Sequence, residues 1–102
     1  MSIIQQQKLL ALYGSEETGN EIIKMFVKKS SQLINDLEAA IQNQELEQLG
    51  KVCHKGIGQA RYIAAPEMEE TLQSIQNSQE SIQQRHLQRL KIIIKDIEND
   101  YA

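Results

Sequence analysis

One cysteine, one proline, no tryptophan and only four aromatic residues, Tyr13, Phe26, Tyr62 and Tyr101, stand in this chain of 102 residues. Each scarcity excludes something. A lone Cys53 cannot form an intramolecular disulfide, and it fits a reducing cytoplasm. With so few rings, the core must be aliphatic, built from leucine and isoleucine. Scarce glycine and proline together with abundant glutamine favour helix over strand. No apolar run approaches the roughly 20 residues needed to span a bilayer. The first ten residues are rich in glutamine and lack the continuous apolar stretch of a signal peptide. A net charge of −3 argues against nucleic acid or an anionic membrane as the main partner.

What is present is helical periodicity. The length suits one domain over residues 1–102 with a modest core. A first helix is expected from Ser2 to Tyr13, with Ile3, Ile4, Leu9, Leu10 and Leu12 as its apolar contacts and Gly14 as its C-terminal cap. A second runs from Glu16 to Ile41 on a stripe of Ile22, Phe26, Leu33, Leu37 and Ile41. Two start signals compete for it: Ser15 before two glutamates, and the capping box Thr18-Gly19-Asn20-Glu21. A third spans Gln44 to Ala64, with Leu46, Leu49, Cys53, Gly56, Ala60 and Ile63 inward. Pro66 opens a fourth, Glu67 to Gln76, because proline suits a first helical turn. A fifth covers Ser81 to Asp100. Period-two alternation is absent. The expected fold is all-α: an antiparallel up-down-up-down four-helix bundle with a short additional N-terminal helix.

The third helix holds the unusual stretch, Gly50-Lys-Val-Cys-His-Lys-Gly-Ile-Gly-Gln-Ala-Arg-Tyr-Ile-Ala-Ala-Pro66. Each glycine inside a helix costs about 1 kcal/mol relative to alanine, and three surround His54 here. At about 100° per residue, Gly50 and Gly58 lie about 40° to either side of His54, one turn below and one turn above. Cys53 and Gly56 point toward the core, so His54 stands beside the buried stripe and outside it. Gly50 and Gly58 then bare the imidazole to an approaching surface, while Gly56 lets a neighbouring helix pack close.

No acidic residue lies between Glu47 and Glu67, whereas Lys51, Lys55 and Arg61 do. Such a basic island suits a negative group, a phosphoryl or a carboxylate-rich surface. An exposed neutral imidazole is a competent nucleophile. The chain has no Gly-x-Ser-x-Gly, no phosphate-binding glycine loop and no carboxylate near His54 in sequence. Cys53-His54 has no second ligand pair at metal spacing, so no metal site is expected. His86 reads as partly buried packing or a boundary residue, and Tyr62 suits either the site or the cover of the core.

His54 with Gly58 four residues on, then Gln59-Ala60, Ile63-Ala64-Ala65, and Met68 with Leu72, resembles the histidine-containing phosphotransfer (HPt) domain. Leu9-Leu10-x-Leu12-Tyr13-Gly14 is similar to the N-terminal part of such domains. Two positions depart from the usual motif. Ile57 stands where a lysine is usual, and Ala64 where the second glycine is usual; Lys55, Lys51 or Arg61 would supply the charge. The resemblance implies a phosphocarrier of a two-component phosphorelay. His54 would take a phosphoryl group from the aspartate of a response-regulator receiver domain and pass it to another receiver. Lys51, Lys55, Gly58, Gln59 and Arg61 would bind phosphate and receiver, with Gly50 and Gly58 giving steric access. The domain would have no cofactor and no turnover of its own, the Mg²⁺ belonging to the receiver. It would be a monomer without nucleic-acid or membrane contact, either free in the cytoplasm or a module of a membrane-tethered hybrid sensor histidine kinase. A reading from another class keeps the same bundle as a receiver-binding interaction module whose histidine is never phosphorylated.

Overall fold

The computed structural model describes residues 3–101. Five helices follow one another: α1 (Gln6–Tyr13), α2 (Glu16–Gln42), α3 (Leu46–Tyr62), α4 (Pro66–Asn77) and α5 (Glu80–Tyr101), with no strand among the described residues. Helix α1 begins later than the sequence suggests. Ser2 lies outside the described residues, and Ile3–Gln5 are not helical. Ile4 is nonetheless buried, and the Gln5 N–H donates to the Ala64 carbonyl at 2.8 Å, so this bent, non-helical segment is fastened to the α3–α4 connection. Leu10 and Leu12 are about half exposed rather than inward, because α1 packs on α2 through Leu9. Gly14 ends α1 at φ 75°, its N–H donating to the Leu10 carbonyl, a left-handed cap that favours glycine.

Of the two start signals for α2, Ser15 prevails. Its side chain accepts from the Thr18 N–H at 3.2 Å, with Glu16 and Glu17 in the first turn where the helix dipole favours negative charge. Thr18-Gly19-Asn20-Glu21 lies inside the helix. At about 1.5 Å per residue α2 spans about 40 Å, matching the 41 Å long axis of the molecule. Helix α4 opens on Pro66 at its first position.

Helix α2 packs against α3 and α5, and α4 packs against the same two, so the four close a ring. The pairings run antiparallel. Leu33 faces Gly56 from α2 to α3, while Phe26 and Ile63 share a groove farther along. Gly56 and Leu72 meet between α3 and α4, as do Arg61 and Glu69. Glu38 pairs with Lys91 between α2 and α5. Between α4 and α5, the buried amide of Gln83 donates to the carbonyls of Ile75 and Ser78, each at 3.2 Å, satisfying acceptors that the end of α4 leaves open. Ile23, Leu37, Leu49, Met68, Leu72, Ile75, Leu87, Leu90 and Ile97 form the buried interior. Each such side chain contributes about 2 kcal/mol by leaving water. Leu46, expected inward, is 76% exposed at the first position of α3, before that helix meets a neighbour.

Candidate functional site

His54 stands midway along α3 and is exposed, and its ring makes no hydrogen bond or ion pair with any described residue. The three glycines divide as their angular positions suggest. Around Gly58 an added β-carbon would meet nothing within 4 Å. At Gly50 it would reach only the flexible end of Gln76, at 4.0 Å. At Gly56, which is buried, it would press on Leu72 and Leu33 at 3.0–3.2 Å. Two glycines therefore leave the imidazole uncrowded, and the third seats α4 and α2 against α3.

The basic island looks different in space. Arg61 is bound by Glu69 of α4, with Nε to Oε1 at 3.1 Å and a second guanidinium nitrogen to Oε2 at 3.3 Å. That carboxylate raises the Arg61 pKa, by its hydrogen bond first and its charge second. The stretch free of acid along the chain is thus not free of acid once α4 folds back. Lys51 lies 3.8 Å from Glu47 one turn earlier, both well exposed, a pairing of little energetic weight. Ile57 is 9% exposed and belongs to the core cluster, so position 57 faces the core rather than solvent. Lys55 points the other way. With Lys28 and Lys29 of α2 and with Gln59 it lines a groove of about 370 Å³ between α2 and α3. The Gln59 side-chain carbonyl oxygen is buried there without a hydrogen-bond partner.

Farther along the same α2–α3 seam is a second groove of about 270 Å³. Tyr13, Ile22, Met25, Phe26 and Tyr62 line it, and Lys29 and Gln59 border both grooves. Tyr62 is 69% exposed and Met25 54%, so Tyr62 serves the surface and not the cover of the core. The Tyr13 hydroxyl donates to the Tyr62 carbonyl at 2.5 Å, tying α1 to the end of α3. The two sides of α3 differ. On the α2 side stand lysines and exposed apolar groups. On the α4 side Glu69 is engaged by Arg61, while Glu67 pairs with Arg89 across the α4–α5 seam.

Sequence reasoning missed Lys28, Lys29 and Met25, because they lie on a different helix from His54 and fall outside the apolar stripe of α2. Cys53 is buried beside the histidine, and burial pushes its thiol up to about 11. His86 is half-buried on α5. Among the described residues, no three His, Cys, Asp or Glu side chains gather into a possible metal site, and no helix is long and apolar enough to cross a membrane.

The structure is a helical bundle with an additional short N-terminal helix that holds one exposed histidine on the outer face of α3. Residues 21–100 match the Hpt domain family, and the chain belongs to it. The matched span begins in the second turn of α2 and leaves α1 outside, so the likeness of Leu9–Gly14 to the start of such domains is not part of the match. No curated protein and no solved structure matches the chain. Membership carries a phosphotransfer role in a phosphorelay, and Hpt domains generally interact with receiver domains.

Proposed function

We propose that the chain is a phosphocarrier that accepts a phosphoryl group on His54 from the aspartate of one receiver domain and delivers it to another. The observation that carries this reading is the exposed, unpartnered imidazole beside the open space at Gly58. An imidazole nitrogen, Nε2 by analogy with the family, attacks the phosphorus of the receiver's acyl phosphate in line. The P–N bond forms as the P–O bond to the aspartate breaks, and the carboxylate leaves with the electron pair while Nδ1 keeps its proton. Return to a second receiver reverses these events. The bundle contributes the nucleophile, an uncrowded approach and positive charge. The receiver contributes Mg²⁺ and most of the stabilisation of the transferring group. Lys55 and Gln59 line the groove next to that approach, Lys51 and Gly58 lie one turn from His54 along α3, and Arg61 acts mainly by anchoring α4 through Glu69. Four helices close one core within a single chain, which supports a monomer.

Incubation with phosphorylated receivers should place an acid-labile, base-stable phosphate on the protein, and His54→Gln should abolish it. A label that persists in His54→Gln assigns the nucleophile elsewhere. Receivers that bind but never label the wild type would favour the interaction-module reading, for which the buried Ile57 in place of a lysine is the supporting observation.

A further inference from the structure

Helix α3 carries Lys51, Lys55 and Arg61, and the last of these is nearest His54 in angle. At about 100° and 1.5 Å per residue, Arg61 stands about 20° around the helix from His54 and about 10 Å farther along it, whereas Lys51 is about 60° away and Lys55 about 100°. Helical side chains lean toward the N-terminal end of their helix, so the unforced course of the Arg61 side chain runs over Gly58 toward His54. Nothing obstructs that course, because even a β-carbon at Gly58 would meet nothing within 4 Å. The guanidinium is drawn instead to Glu69 of α4, Nε to Oε1 at 3.1 Å and Nη2 to Oε2 at 3.3 Å. Gln73, one turn along α4, donates to the same carboxylate at 3.4 Å and helps to aim it. The hold is light, since the Arg61 side chain is 64% exposed and an exposed ion pair contributes little. A phosphoryl group on His54 changes the competition. It carries more negative charge and more acceptor oxygens than a carboxylate, and the guanidinium fork can bind two of those oxygens at once.

We propose that Arg61 is a clasp with two alternative anionic partners. In the unphosphorylated domain Glu69 holds it, and the pair ties α4 to α3. When His54 carries a phosphoryl group, Arg61 leaves Glu69, crosses the open space at Gly58 and binds the phosphoryl oxygens. The proposal rests on the reading of the chain as a phosphocarrier and adds to it a contact that depends on the phosphorylation state. The exchange does two things. It holds the phosphoryl group against loss to water while no receiver is bound. It also frees Glu69, so the outer α3–α4 seam differs between the loaded and the empty domain. The bare glycine then serves twice, leaving the way open for a cation of its own helix as well as for a partner.

The test uses phosphoramidate, a small donor that passes its phosphoryl group to the imidazole and releases ammonia, on the wild type, Glu69→Gln, Arg61→Ala and the variant that combines them. The Arg61 Nε–H resonance of isotope-labelled protein should move when the wild type is phosphorylated, and should stay in place in His54→Gln treated alike. After the donor is removed, the phosphohistidine should persist about two- to fivefold longer in Glu69→Gln and be lost about two- to fivefold faster in Arg61→Ala, the range an exposed charge pair commands. Arg61→Lys, which keeps the charge and loses the fork, should fall between Arg61→Ala and the wild type. In the combined variant Glu69→Gln should add nothing, because Glu69 acts only through Arg61. Equal lifetimes throughout, an Arg61 resonance indifferent to phosphorylation, or a Glu69→Gln effect that survives beside Arg61→Ala overturns the clasp and leaves the carrier reading standing. Labelling of His54 by phosphoramidate but by no phosphorylated receiver overturns the carrier reading and leaves the clasp standing. A chain that neither donor labels overturns both.

Discussion

Gly56 and Leu72 touch across the α3–α4 interface so closely that a β-carbon on the glycine would stand 3.0 Å from Leu72 Cδ1. Two residues on, at Gly58, the same atom would meet nothing within 4 Å. Two glycines on one helix thus answer to different demands. One lets α4 approach, and the other keeps the surface beside His54 low.

That contrast predicts opposite outcomes for one substitution. Gly58→Ala should raise stability by about 1 kcal/mol through helix propensity. Gly56→Ala should lower it by about 1–3 kcal/mol, because Leu72 and Leu33 must yield in a packed core. Denaturant midpoints distinguish the two. Gly58→Leu should keep or increase helicity yet slow phosphoryl transfer from a receiver, and transfer at the wild-type rate would count against the need for open space there.

Ala64 holds φ at 55° in the α3–α4 connection, a left-handed conformation that a residue with a β-carbon adopts at a cost of about 1–2 kcal/mol. Its carbonyl accepts from the Gln5 N–H, so the local geometry is held from two directions. The family motif has glycine at this position, and the backbone angle supplies the reason. Ala64→Gly should therefore raise stability by about 1 kcal/mol, read as an upward shift of the thermal midpoint. A downward shift would mean that packing of the buried methyl group outweighs the backbone strain.

Cys53 predicts an alkaline limit. Burial favours its neutral thiol and raises its pKa from 9.0 to about 11. The associated stability is intact below pH 9.0 and is lost as pH rises toward about 11, because the unfolded chain ionises first. Tyr13, raised from 10.0 by desolvation and then by the charge of Tyr62, adds to the loss in the same direction. Denaturation midpoints should fall more steeply over this window in the wild type than in Cys53→Ala. Parallel slopes would show that the thiol does not contribute.

Helices α2 to α5 were legible from apolar spacing to within two residues at each end, because each has a face that the bundle buries. The beginning of α1 was not. Ile3 and Ile4 have the apolar character of a helix face, but Ile4 is buried from a bend ahead of α1, a tertiary outcome with no periodic signal. Leu46 shows the converse, a residue in register with the stripe but beyond the reach of a partner helix. The bare histidine and its glycines were legible because one helix carries them all. The engagement of Arg61 was hidden, since Glu69 lies eight residues on and across a turn. The lysine wall was hidden for the same kind of reason, being assembled from two helices that sequence spacing cannot align.

The reactive ring belongs to α3, whereas two of the three lysines beside it belong to α2. On the proposed reading, the group that would take the phosphoryl and most of the positive charge in the neighbouring groove sit on different helices. The outer face of α2 could therefore be rewritten, by engineering or in evolution, while α3 with its exposed histidine stays untouched.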